Sequence, residues 1–230
     1  MCVQLTGRDL RVVEWLSTVR LADVESLRWA LAATSGRETP VTTRAAQHWI
    51  RRGRALELVE SARPFLYAGQ IVWPTYEHSG RRAPDLLSQT TRHELCVAAV
   101  SARYWCRGWR WSLDTGDDHR ADGYATRDGA AELLEIELSE KSSTRLQDIF
   151  TSHLWRLQHE HITHIRYIGT DAVTNHVEMF MRDVVPHDLQ RRFSFTAAFD
   201  RRGFLLPHVD LFPVSFVEPS SPATDWANFA

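Results

Sequence analysis

The stretch Leu133-Leu134-Glu135-Ile136-Glu137-Leu138-Ser139-Glu140-Lys141 decides how this chain reads. Side chains alternate across a β-strand with period two, so Ile136 and Leu138 share one face while Glu135, Glu137, Ser139 and Lys141 share the other. One face is apolar and the other ionisable, which by itself describes a half-solvated strand of an antiparallel sheet. A chemical reading needs a second acidic element nearby. Upstream, His119-Arg120-Ala121-Asp122-Gly123-Tyr124 places Asp122 ahead of a strand that pairs with the next one through the Asp128-Gly129 turn. Hairpin-linked strands bring Asp122 beside Glu135 or Glu137. Hard oxygen ligands with a lysine close by suit phosphodiester hydrolysis assisted by Mg2+ or Mn2+. The carboxylates hold the ion, the ion acidifies a water, and the ammonium stabilises charge on the phosphate. Asp122, Glu135, Glu137 and Lys141 are the candidate catalytic residues, and Asp122, Glu135 and Glu137 the candidate metal ligands. Lys141 stands out on a further count: of 27 basic residues it is the one lysine, in a chain that otherwise uses arginine.

Around this stretch the periodicity predicts a helix over Arg92 to Tyr104, strands at Trp109–Leu113, Ala121–Ala125 and Ala131–Ser139, a helix over Thr144 to His159, a strand from Thr163 to Ile168, and a helix over Ala172 to Val184. This α-β-β-β-α-β order implies a central sheet with helices against it, and Phe193–Phe199 adds an edge strand. Further upstream, Thr6 caps a first helix, Ala22 to Ala33 forms a second, and Pro40 with Thr42 and Thr43 opens a third that Gly53 ends. Ala55–Glu60 and Pro64–Pro74 read as strands, with a turn at Ala68-Gly69. Helix, helix, basic helix and hairpin is the order of a winged helix-turn-helix, whose third helix enters the major groove. That helix carries Arg44, Gln47, His48, Arg51 and Arg52, the candidate DNA-binding residues, since Arg and Gln are types that read guanine and adenine edges.

The polar stretch Tyr76 to Thr91 is the boundary. The expected organisation is residues 1–90 as the winged helix, 91–217 as the second domain and 218–230 as a loose tail. Residues 1–92 hold 13 Arg against 9 acids, while the remainder is acidic, with 14 basic residues against 20 acids. The chain lacks a run of apolar residues long enough to span a membrane and an apolar signal-peptide core, so a cytoplasmic protein with no membrane partner is expected. Three cysteines, Cys2, Cys96 and Cys106, are too unevenly spaced for a disulfide framework or a zinc knuckle and read as reduced. His153, His159, His161 and His164 straddle a helix end, a turn and a strand start, so they do not share one face as a metal site requires. His93 and Glu94, at a helix start, either contribute to the acidic site from that helix or form its cap, and the cap is the simpler reading. Trp15, Trp29, Trp49, Trp105, Trp109 and Trp111 read as core. No nucleophile elbow, phosphate-binding glycine loop or dinucleotide fingerprint is present.

At His119, Arg120, Asp122, Gly123, Glu135, Glu137, Leu138, Ser139, Lys141, Ser142, Arg145 and Leu146 the chain resembles the replication-relaxation family of actinobacterial plasmids and mobile elements. Leu5-Thr6-x-Arg8-Asp9, Trp73-Pro74-Thr75 and His93-Glu94-Leu95 extend the resemblance over roughly residues 5–185. It implies a winged helix joined to a domain similar to the PD-(D/E)XK nucleases, and a role in plasmid replication, DNA relaxation or mobilisation. Asp122 then resembles the first metal-binding Asp, Glu135 and Glu137 compete for the second acidic position, and Lys141 resembles the lysine. Two departures stand out: Ala121 replaces the usual proline, and Lys141 comes four residues after Glu137 and six after Glu135 rather than two after the acid. The expected fold class is therefore α+β in two domains, an N-terminal winged helix-turn-helix and a C-terminal PD-(D/E)XK-like α/β domain with a central mixed sheet. The expected partner is double-stranded DNA, with a second copy or replication and mobilisation proteins beside it. The alternative is a non-enzymatic DNA-binding regulator or accessory factor, and a metal-dependent effector acting on RNA is a third reading.

Overall fold

The structure is a computed structural model that describes residues 4–65, 67, 69–116, 118–207 and 209–212. Cys2, Ala68 of the expected turn and the expected tail 218–230 lie outside them.

Helix α1, Gly7–Val19, begins where Thr6 and Asp9 cap one another: the Thr6 hydroxyl accepts from the Asp9 amide, and the Asp9 carboxylate accepts from the Thr6 amide. Strand β1, Ala22–Asp23, follows, then α2, Val24–Ala33, capped by the Asp23 carboxylate. The Ala22 start expected for this helix is thus corrected, because Ala22 and Asp23 pair with Val72 and Ile71. Helix α3, Thr43–Ala55, opens on the Thr42 cap and is followed by β2, Val59–Ala62, and β3, Ile71–Pro74. Gly53 does not end α3. A Cβ there would lie 2.9 Å from a Val59 methyl, so glycine serves the close approach of β2. The three strands form an antiparallel sheet in the order β1-β3-β2. Val12, Leu16, Leu27, Leu31 and Ile50 close the core of this helix-rich region with Trp15 and Trp49. A short helix, α4 at Tyr76–Ser79, lies in the polar stretch.

The second region runs α5 (Gln89–Cys106), β4 (Arg110–Ser112), β5 (Gly123–Arg127), β6 (Ala130–Glu137), α6 (Ser143–His159), β7 (His164–Thr170), α7 (Asp171–Val184), α8 (His187–Gln190) and β8 (Phe193–Phe199). Its sheet has the order β4-β5-β6-β7-β8. The first three strands form an antiparallel meander, whereas β6-β7 and β7-β8 are parallel, each pair joined by a crossover containing α6 or α7. One face packs Leu134, Ile136 and Ile168 against Val97, Val100 and Tyr104 of α5. The other packs Leu133, Ile165 and Tyr167 against Leu146 and Phe150 of α6 and Val173 and Val177 of α7. The chain is thus an α+β protein with a helix-rich N-terminal region and a C-terminal mixed sheet.

This corrects the half-solvated reading of β6. With a parallel neighbour and helices over both faces, every residue from Ala131 to Glu137 is buried. Its ionisable residues are enclosed and need partners. Helix α5 serves both cores: Ala98, Ala102 and Cys106 complete the N-terminal one, while Val97, Val100 and Tyr104 face the sheet. A buried hydrogen bond from the Trp15 indole to the Ser101 hydroxyl, 3.0 Å, fastens α1 to it. Cys96 and Cys106 are free and buried, and burial pushes the Cys96 thiol up to about 12. Among the described residues no helix is long and apolar enough to cross a membrane.

Candidate functional site

Asp122 stands at the head of β5, and its Oδ2 accepts from the Ile136 amide of β6 at 2.7 Å. Its Oδ1 lies 3.2 Å from His93 Nε2, which also lies 3.0 Å from the Ile136 carbonyl oxygen. His93 is therefore not a cap, since Ser88 caps α5 and His93 points across to β5 and β6. Burial lowers its proton affinity, but the Asp122 carboxylate outweighs burial and leaves His93 above its ordinary value. Glu137 closes β6, and Lys141, beyond the strand end, turns back to form an ion pair with it. The lysine thus reaches the acidic cluster through a bend and not by continuing the strand. Burial lowers the Lys141 ammonium below its ordinary value, against the pull of Glu135 and Asp122.

Glu135 faces the other way along the same side of β6. Its Oε1 meets His119 Nε2 at 2.7 Å and lies 3.1 Å from Nε2 of His153 on α6. One ligand atom from each of His119, Glu135 and His153 lies within 4.8 Å of the other two, so this buried cluster is capable of coordinating a metal ion. Among the described residues it is the one such group, and Asp122 and Glu137 lie outside it, paired instead with His93 and Lys141. Burial raises the Glu135 carboxyl above its usual range, opposed by the His119 hydrogen bond. Burial likewise lowers His153 to about 3, with His119 and Arg156 adding to the effect, so its imidazole is neutral near pH 7. Tyr167, beside Glu135 in the β6-β7 register, completes this wall.

Two devices hold the site in shape. Asp114 forms a buried bidentate pair with Arg156 of α6, 2.6 and 2.9 Å, and also accepts from the Ala121 amide at 2.8 Å. That pins the loop carrying His119 and Asp122 to the helix carrying His153. Burial pushes the Asp114 carboxyl up, but Arg156 and the Ala121 amide outweigh it and hold it below its usual range. Gly169 pairs with Glu137, and a Cβ there would collide with the Glu137 carbonyl oxygen.

On α3, Arg44, His48 and Arg51 are exposed and Gln47 is half-buried. Arg52 is placed differently: its guanidinium pairs with Asp9, which is 1% exposed and also accepts from the Trp49 indole at 2.9 Å. Arg52 serves the fold, and exposed Arg54 extends the outward basic face. Of the four clustered histidines, only His153 joins the site. Its signal was the α6 stripe of Leu146, Phe150, His153 and Leu157, apolar at helical spacing except for that one imidazole. The chain matches no protein-family model and no curated protein.

Proposed function

We propose that this protein binds duplex DNA through its N-terminal region and cleaves phosphodiester bonds with Mg2+ or Mn2+ in its C-terminal region, as part of plasmid or mobile-element replication, relaxation or mobilisation. The observation that carries the reading is the placing of Asp122 at the head of the second strand of an α-β-β-β-α-β unit, against the third strand that holds Glu135 and Glu137, with Lys141 returning from beyond that strand's end. This supports a PD-(D/E)XK-like domain, in keeping with the replication-relaxation resemblance carried by the same residues. The order α1-β1-α2-α3-β2-β3, with β3 between β1 and β2, supports a winged helix presenting Arg44, Gln47, His48 and Arg51 to a major groove.

Asp122, with a part-exposed side chain, and Glu137 at the end of β6 offer hard oxygen donors that would suit a dication, which when bound supplies an acidified water and charge neutralisation at the phosphate. Lys141 would stabilise the developing negative charge, and His93 would hold Asp122 in place. The second reading, a DNA-binding regulator that does not cut, is favoured by one observation: Glu135 and Glu137 are already engaged by His119 and Lys141.

Supercoiled plasmid incubated with Mg2+ or Mn2+, with chelator as control, separates the two. Wild type should nick, and Asp122→Ala and Lys141→Ala should lose at least about 100-fold in rate, the scale of a removed electrostatic stabiliser. Wild type that binds plasmid but cuts with neither metal establishes the regulator.

A further inference from the structure

We infer that His119, Glu135 and His153 form a site for a first-row transition-metal dication, Zn2+ before Mn2+, with a ligand preference unlike that of the carboxylate mouth at Asp122 and Glu137. The site does not rest on the cleavage reading, although Glu135 belongs to both sets.

Two imidazole nitrogens and one carboxylate oxygen are the donors that Zn2+ and its neighbours take, whereas Mg2+ prefers an oxygen shell with retained waters. The three side chains come from separate segments, the loop before β5, β6 and α6, and are 10%, 3% and 0% exposed. A hydrogen-bonded pair of Glu135 with His119 would explain those two residues alone. His153 remains: neither ring nitrogen has a hydrogen-bond partner among the described residues, and Nε2 sits 3.1 Å from Glu135 Oε1 without the alignment of a hydrogen bond. The Tyr167 hydroxyl, on the same wall, is also buried without a partner among the described residues. Buried polar atoms left unpaired cost about 1–3 kcal/mol each, and a ligand that engages a His153 nitrogen beside Glu135 removes part of that cost. A dication here takes up a His153 lone pair and balances Glu135. The loop that delivers His119 is fixed to α6 by the Asp114–Arg156 pair, so the ligands are held in place before the ion arrives.

The test is isothermal titration of the full chain, stripped with chelator and dialysed, using ZnCl2, MnCl2 and MgCl2, with Co2+ absorption as the probe of coordination. One equivalent of Zn2+ is expected to bind, Co2+ to give visible bands that Zn2+ abolishes, and Mg2+ not to compete. Glu135→Gln and His153→Phe should weaken Zn2+ by more than about 100-fold, beyond the 10–100-fold typical of an outer-shell change. Asp122→Ala should leave it unchanged. His153→Phe keeps an aromatic ring against Phe150 and Tyr167; should it fail to fold, His119→Gln at the outer edge of the cluster carries the same expectation. Wild type that takes up neither Zn2+ nor Co2+, that binds Mg2+ equally well, or whose Zn2+ affinity survives Glu135→Gln and His119→Gln overturns the proposal. Zn2+ binding in a protein that cuts no DNA leaves this site standing and removes only the nuclease reading.

Discussion

Asp9 shows how much one side chain organises. It caps α1 through Thr6, accepts the Trp49 indole and pairs with Arg52, so a single buried carboxylate ties the first helix to the third. Burial pushes its carboxyl up, but the Thr6 hydrogen bonds with Arg52 and Trp49 outweigh burial and hold it below its ordinary value. Asp9→Ala should therefore cost roughly 2–4 kcal/mol in urea unfolding, leaving a half-buried guanidinium and an orphaned indole N–H. Arg52→Ala should also lower stability, whereas Arg44→Ala and Arg51→Ala should stay within about 0.5 kcal/mol of wild type and weaken DNA binding in a mobility-shift assay. His153 makes a second prediction. Its folded value of about 3 lies below the ordinary 6.5, so the unfolded chain binds the proton first. The stabilisation is complete above about pH 6.5 and is lost as pH falls towards 3, at about 1.4 kcal/mol per pH unit. Burial gives His164 the same sign. Urea unfolding of the metal-free protein at pH 7, 6 and 5 should show stability falling with pH, and His153→Phe should make the fall shallower, with His164 leaving the remainder.

At the scale of elements, the junction of β6 and β7 is the tightest constraint on the site. Gly169→Ala would drive a methyl group into the Glu137 carbonyl, backbone against backbone, where no flexible side chain can yield. Roughly 1–3 kcal/mol of stability should be lost in thermal unfolding, and plasmid cleavage should fall with it because Glu137 shifts away from Lys141. The strands and the three long helices of this region were legible in the sequence, since α6 and α7 carry period-3.6 stripes and β5 to β6 turns at Asp128-Gly129, whereas the four-residue α8 was not. The burial of β6 was not legible. An alternation of Glu with Ile looks half-solvated whether the polar face meets water or meets His119, His153 and Lys141, and those partners come from segments distant in sequence. Glu132 repeats the lesson on the opposite face, where it is fully buried against Tyr104 at 2.8 Å and Arg166. Strand β1 escaped notice for a simpler reason: two residues carry no period, and only pairing with β3 makes them a strand.

For the molecule as a whole, α5 matters most. Ala98 and Ala102 are fully buried in the N-terminal core although they lie beyond residue 90, where composition shifts. Residues 1–90 expressed alone should therefore lack the helix that closes their core and give poorly dispersed amide resonances, while the full chain should unfold in one transition by circular dichroism and tryptophan fluorescence alike. The charge asymmetry in the sequence said nothing of the helix that the two regions share, because a small-residue stripe such as Ala98-x-x-x-Ala102 is silent about which of two cores it enters. A hinge between the regions would let a duplex bound at α3 be sampled at many positions; a helix shared by both cores opposes that freedom. One helix, α5, packs into the N-terminal core and against the sheet that carries β6, so under the proposed function the protein would act as a gauge between α3 and the carboxyl end of β6. On mapped DNA, any scission should fall a constant number of base pairs from the protected sequence, and lengthening surface loops would leave that interval unchanged.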